Sequence, residues 1–170
     1  MPAANFEIRA LNNGEIEALC GVRNDPAMHR QRMQEQEQGL VRYIGAFAGK
    51  QAAGFVLLVQ GNKIDVMPYT AGAPCMDMVD LFVREELRGQ GIGSALIAAV
   101  EEASAAQGVR YIGLDVNPAD NADAQALYAR LGYRTVGELH LDGTYPSKDA
   151  QGNDTVYEDW CVDMLKDLRG

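Results

Sequence analysis

One short stretch constrains this chain more than any other. Val83-Arg84-Glu85-Glu86-Leu87-Arg88-Gly89-Gln90-Gly91-Ile92-Gly93-Ser94 runs an apolar strand into a three-glycine loop, and a helical pattern follows at once. The first N–H groups of a helix have no internal partner, and the helix dipole puts partial positive charge there. Glycines remove the side chains that would keep an anion off the backbone. The stretch from Gly89 to Ser94 is therefore built as a pyrophosphate seat, and Arg88 can add a charge-assisted contact. A Walker loop is excluded, because its closing Gly-Lys-Ser/Thr is absent. The dinucleotide fingerprint G-x-G-x-x-G fails at its third glycine, although Asp115 stands where a ribose-binding acid would be expected. The loop also lies mid-chain, after a hairpin, where a dinucleotide unit usually opens its domain.

The rest of the chain reads as one α/β domain over residues 1–170. Phe6–Ala10 alternates as a strand, and Gly14–Arg23 and Ala27–Gln38 read as helices broken at Asn24-Asp25-Pro26. Arg42–Ala48 and Gln51–Gln60 form a hairpin about Gly49-Lys50, and Gly61–Pro74 reads as a loop. Met76–Arg84 is a strand. Ser94–Gln107 is a helix, with Leu96, Ala99, Val100 and Ala103 on one face. Arg110–Val116 is a strand and Ala122–Leu131 a helix. Tyr133–Leu141 and Thr155–Leu165 are strands parted by a polar loop, Asp142–Asp154. This order gives a mixed sheet with helices packed on it rather than a regular β-α alternation.

Charge and composition exclude several functions. The net charge of −9, from 24 acidic against 15 basic residues, lacks the basic footprint of a nucleic-acid binder and is compatible with a cationic substrate. No apolar run is long enough to span a membrane, and the first residues carry no signal-peptide pattern, so a cytoplasmic protein is expected. Cys20, Cys75 and Cys161 are scattered without metal-ligand spacing, and they read as reduced, buried thiols.

Two motifs together resemble a known family. Arg88-Gly89-Gln90-Gly91-Ile92-Gly93 matches the [RQ]-x-x-G-x-[GA] signature of the GNAT superfamily of acyl-CoA-dependent N-acyltransferases. Asn121-Ala122-Asp123-Ala124-Gln125-Ala126-Leu127-Tyr128-Ala129-Arg130-Leu131-Gly132-Tyr133 is similar to its N-x-x-A-x-x-L-Y-x-x-x-G-[FY] segment. The resemblance is strongest from Met76 to Leu141. It implies a mixed, twisted sheet of about six to seven strands with helices on both faces. It implies acetyl-CoA as acyl donor and no metal, with Arg88, Gly89, Gln90, Gly91, Ile92, Gly93 and Ser94 on the pyrophosphate. Leu81, Phe82 and Val83 would offer backbone groups to the pantetheine arm and the thioester, as an added strand does. Tyr128 would donate a proton to the leaving thiolate. Asn121 would contact the cofactor arm, cap its helix, or both.

The proton acceptor for the amine is left open among Asp80, Asp115 and a water relay. By strict alternation Asp80 shares a face with Met78 and Phe82, while Asp77 points away. His29 would border the acceptor site or lie at the surface, and His140 and Tyr145 would flank the late loop. Trp160 reads as core or interface. From Asp142 onward seven acids face three bases, a segment that could attract a cationic acceptor. The expected reaction is direct attack of a small-molecule amine on the thioester in a ternary complex, with no nucleic-acid or membrane partner. Thr155–Leu165 could serve as an edge strand for a homodimer. The rival readings are a protein N-terminal or lysine acetyltransferase, an acyl-CoA sensor without turnover, and a nicotinamide-binding module.

Overall fold

The computed structural model describes residues 6–61 and 66–170. Among them, strands β1 (Glu7–Ala10), β2 (Val41–Ala48), β3 (Gln51–Gly61), β4 (Cys75–Val83), β5 (Tyr111–Val116), β6 (Arg134–Lys148) and β7 (Asp154–Asp167) form one sheet in the order β1-β2-β3-β4-β5-β7-β6. The helices are α1 (Ile16–Cys20), α2 (Pro26–Glu37), α3 (Met67–Thr70), α4 (Ile92–Ala106) and α5 (Ala122–Arg130). The break read at Asn24-Asp25-Pro26 is a helix start. Asp25 accepts a hydrogen bond from the Met28 N–H at 3.0 Å, and Pro26 occupies the first turn, where its missing N–H costs nothing. The stretch expected to be all loop contains the single turn α3, and residues 62–65 of it lie outside the described residues.

Each sheet face carries its own core. On one face Met76, Met78, Ile112, Leu114 and Met164 pack against Leu96, Ile97 and Val100 of α4. On the other, α1 and α2 bring Leu19 and Met33 onto Tyr43, Phe55 and Leu57. A smaller cluster gathers Val66, Cys75, Tyr111, Val136 and Leu165. Burying such side chains is the main favourable term in folding.

Two irregularities in the sheet position the site. The parallel pair β4–β5 holds together over three residue pairs, from Cys75↔Tyr111 to Asp77↔Gly113, and the strands then diverge. Just beyond, β4 bulges. Phe55 pairs with Phe82 but Leu57 pairs with Val79, so two steps on β3 oppose three on β4. Asp80 sits in the bulge with φ +50°. The expectation that Met78, Asp80 and Phe82 share a face therefore fails. Met78 belongs to the α4 side, whereas Phe82 stacks on Phe55 in the α1/α2 side at 5.4 Å between ring centroids. An extra residue in one strand resets the period-2 pattern.

The late segment also differs from its reading. Asp142–Lys148 is strand, and only 149–153 turn, held by the Asp149 carboxylate accepting from the backbone N–H groups of Gln151 and Asn153. β7 lies between β5 and β6, so β6 and not Thr155–Leu165 is the edge. β5 pairs with β7 only from Val162 to Asp167, and the first half of β7 pairs with β6 alone. Its residues are polar because this two-stranded ribbon stands beyond the sheet. Trp160 on it is 42% exposed, not core.

Burial of titratable groups fixes a stability limit. Desolvation pushes the phenols of Tyr43 and Tyr128 from 10.0 up to about 12, and the Cys75 thiol from 9.0 up to about 12. All three hold their protons in the fold. Below their ordinary values both folded and unfolded chains are protonated and this stability is fully present. Above them the unfolded chain ionises first, and stability is lost as pH climbs from about 9 towards 12. Each ionisable group costs roughly 1.4 kcal/mol for every tenfold difference in proton affinity between the two states. The urea midpoint should hold steady between pH 7 and 8.5 and fall steeply above 10; a flat midpoint to pH 11 would contradict this.

Candidate active site

The divergence of β4 and β5 opens a groove of about 1380 Å³. Leu81, Phe82 and Val83 form one wall, and Asn121, Leu127 and Tyr128 of the α5 region stand in another. The mouth is the turn into α4. The helix begins at Ile92, two residues earlier than the sequence pattern suggests, with Gly91 at its cap and the Ala95 N–H bonded to the Gly91 carbonyl at 3.0 Å. The N–H groups of Ile92, Gly93 and Ser94 precede the first internal bond and have no partner within the helix.

Gly89 and Gly91 have φ +74° and +86°, and a Cβ on either would meet no atom within 4 Å. Their missing side chains are therefore space at the groove mouth, and a diphosphate fits there against bare backbone. Arg88 lines the groove too, anchored by Nε donating to the Val83 carbonyl at 3.2 Å. Gln90 departs from the expected set. It is exposed and the groove wall passes it by.

Tyr128 points inward as its helical spacing implied. It is 8% exposed, lines the groove, and packs its ring edge-on against Tyr133 at 5.9 Å. With its pKa pushed up to about 12 by burial, it stays a neutral hydrogen-bond donor at any physiological pH. Asn121 precedes α5, but its side chain makes no capping hydrogen bond. It faces the groove instead.

The polar residue that organises this region was not foreseen. Asn117, 7% exposed at the end of β5, accepts at Oδ1 from the N–H groups of Ala119 (3.0 Å) and Asp120 (3.2 Å). Its Nδ2 donates to the Tyr157 hydroxyl and to Asp159, both at 2.8 Å. The Tyr157 hydroxyl in turn hydrogen-bonds Asp120, and that carboxylate raises the phenol's pKa above its ordinary range. The β5–α5 loop is thereby tied to the ribbon. The available signal was the Asn117-Pro118 pair directly after a strand, a turn-initiating dipeptide whose side chain bonds nearby backbone.

The two candidate bases sit in different settings. Asp115 lines the groove, opposite Asp163 in the β5–β7 ladder, and atoms of Asp115, His140 and Asp163 lie within 4.8 Å of one another. His140 Nδ1 is 3.7 Å from the Asp163 carboxylate. Asp80 is ion-paired through Oδ2 to Arg32, with Arg23 at 3.7 Å. His29 belongs to neither substrate nor surface. It is fully buried, with Nε2 2.8 Å from the Arg23 carbonyl oxygen and Nδ1 2.7 Å from the Tyr43 hydroxyl. In this arrangement Nε2 donates to the carbonyl and Nδ1 accepts from the phenol. Cys75 and Cys161 are buried as expected, Cys161 in the groove wall, whereas Cys20 is only partly covered. Beyond Asp80 and Asp115, the groove is lined by Asp77, Asp120, Asp123, Asp142 and Asp159, against Arg88 and Arg130.

The sequence profile of the acetyltransferase (GNAT) family matches residues 8–133. No curated protein matches in sequence. Solved structures share the fold. The PaiA N-acetyltransferase from Thermoplasma acidophilum, in complex with coenzyme A, is 16% identical over 96% of this chain and 99% of its own, with a TM-score of 0.69. The ribosomal-protein-alanine N-acetyltransferase from Brucella melitensis is 18% identical over 95% and 99%, with a TM-score of 0.68. YncA from Salmonella typhimurium, solved with acetyl-CoA, is 14% identical over 96% and 94%, with a TM-score of 0.68. With the glycine turn into α4, the open strand pair and the inward tyrosine all inside the matched span, the chain belongs to the acetyltransferase (GNAT) family.

Proposed function

We propose that the protein transfers the acetyl group of acetyl-CoA to a primary amine of a small cationic molecule, by direct attack in a ternary complex. The observation that carries the acceptor class is the acidic lining of the groove away from Arg88, where Asp115, Asp142 and Asp159 stand on β5 and the ribbon. Acids grouped in a cleft favour a cation over a neutral amine. Acetyl-CoA supplies the thioester carbon that the amine attacks.

The chain's own residues have the following roles in this reading. The α4 N-terminus, Gly89, Gly91 and Arg88 hold the diphosphate. Main-chain groups of Leu81–Val83 align the arm, and a backbone N–H there stabilises the oxyanion. Asn121 contacts the arm. As the C–N bond forms and the C–S bond breaks, the amine proton leaves to Asp115, directly or through water. Tyr128 offers its hydroxyl to the thiolate sulfur. Asp115 is favoured over Asp80 because two guanidinium groups already converge on Asp80 Oδ2.

The deciding experiment is thiol release with acetyl-CoA and three acceptor sets: polyamines, neutral amines, and peptides with a free N-terminal alanine or an internal lysine. Turnover with polyamines at least tenfold above the others supports the reading. Preference for peptides moves the acceptor to protein. Micromolar CoA binding with no turnover on any set supports a sensor, and NADH binding without CoA binding would overturn the reading altogether.

A further inference from the structure

We propose that Arg32 and Asp80 form a clamp that holds the β4 bulge, so that Asp80 is a positioning residue rather than the proton acceptor. The proposal deepens the acetyl-transfer reading above and rests on it for its kinetic consequences.

The argument starts from the backbone. Asp80 has φ +50°, in the left-handed region that residues with a Cβ enter at a cost, a smaller one for Asp and Asn than for most. Contacts that hold the side chain offset what remains of that cost and fix the bulge in one geometry. On one side is Arg32 of α2, 9% exposed, whose guanidinium pairs with Asp80 Oδ2. A guanidinium so buried is costly without a carboxylate partner, so the pair resists opening. Arg23 adds a second cation at 3.7 Å and lies over the Phe82 ring at 5.0 Å. Arg23 is tethered in turn, since its carbonyl oxygen is 2.8 Å from His29 Nε2, and His29 is locked on Tyr43. Two residues along the strand, Phe82 is seated on Phe55. The bulge is thus gripped at its carboxylate and at the next ring on that face.

Its location gives the grip a function. The last β4–β5 pair is Asp77↔Gly113, and the register slip falls between Val79 and Phe82. A bulge bends its strand and sharpens its twist. The bend therefore falls where the two strands part, and it sets the direction in which the main chain of Leu81–Val83 faces the groove. A residue that fixes this direction acts on the rate through alignment, without touching the reacting atoms.

Glycine distinguishes conformation from carboxylate, because it adopts φ +50° without strain and has no acid. The test uses the full chain as Arg32→Met, Asp80→Ala, and the double variant Asp80→Gly/Arg32→Met, which leaves no buried guanidinium unpaired. Turnover is followed by thiol release with the best amine, and thermal unfolding midpoints are measured beside it. Arg32→Met should lower kcat at least tenfold while KM for acetyl-CoA stays within threefold, and Asp80→Ala should do the same. The double variant should recover kcat to within about threefold of the parent, keep its pH profile, and melt above Arg32→Met. Three results would overturn the clamp: full kcat in Arg32→Met, a double variant as slow as Asp80→Ala with the acidic limb of the pH profile lost, or a double variant that melts below Arg32→Met. If the parent chain releases no thiol with any amine, the acetyl-transfer reading fails, and the melting comparison still decides whether the clamp exists.

Discussion

Gly91→Trp should abolish acetyl-CoA binding, weakening it at least 100-fold, or about 2.7 kcal/mol. Two causes act together. Gly91 holds φ +86°, where an L side chain is strained, and its Cβ direction opens onto space at the α4 N-terminus. An indole there occupies the diphosphate's place and covers the N–H groups that would bind it. Gly91→Ala separates the causes, since one methyl group meets no neighbour and leaves most of the seat open. It should lose roughly three- to tenfold from strain and partial blockage. Calorimetric titration with acetyl-CoA measures both variants, and the thermal midpoints should drop together by several degrees, since strain of roughly 1–2 kcal/mol is common to both and no packed atom is displaced. A tryptophan variant that binds within threefold of the parent would place the cofactor elsewhere.

Tyr128→Phe should lower kcat by about 10²- to 10⁴-fold with KM for acetyl-CoA nearly unchanged, the range for losing a positioned acid. The phenyl ring keeps its packing on Tyr133, and among the described residues none hydrogen-bonds the hydroxyl, so stability should hold. The missing atom is then the only difference at the sulfur. Since burial keeps the phenol protonated up to about 12, the parent's kcat should show no alkaline decline from this group below pH 11. An unchanged kcat, where chemistry limits the rate, would remove Tyr128 from the mechanism.

Much of this architecture was legible in the sequence. α4 and α5 announced themselves because their apolar positions recur at helical spacing and glycine follows each. The turn into α4 was legible because positive φ calls for glycine, here at Gly89 and Gly91. The bulge was not. Asp80 needs no special residue, for aspartate tolerates left-handed φ, and counting alternate positions through it silently swaps the faces of everything beyond. His29 misled for a related reason. α2 is polar on most of its surface, and its buried side is marked by Met33 together with a histidine and an arginine, Arg32, which are satisfied only by partners far along the chain. The ribbon was cut short because strands solvated on both faces carry no apolar alternation to follow.

The parting of β4 and β5 leaves the sheet unfinished along two facing edges. Backbone amides there can pair with water or with a bound arm, and a bound arm completes the sheet. Binding to the folded chain alone stabilises it by mass action, about 2.7 kcal/mol when ligand stands at 100 times its dissociation constant. Hydrogen exchange around Leu81–Val83 and Leu114–Val116 should accordingly slow sharply when acetyl-CoA is added and leave β1 unaffected. The lifetime of the folded protein against proteolysis would then follow the local supply of acetyl donor, making its abundance a slow readout of the metabolite it consumes.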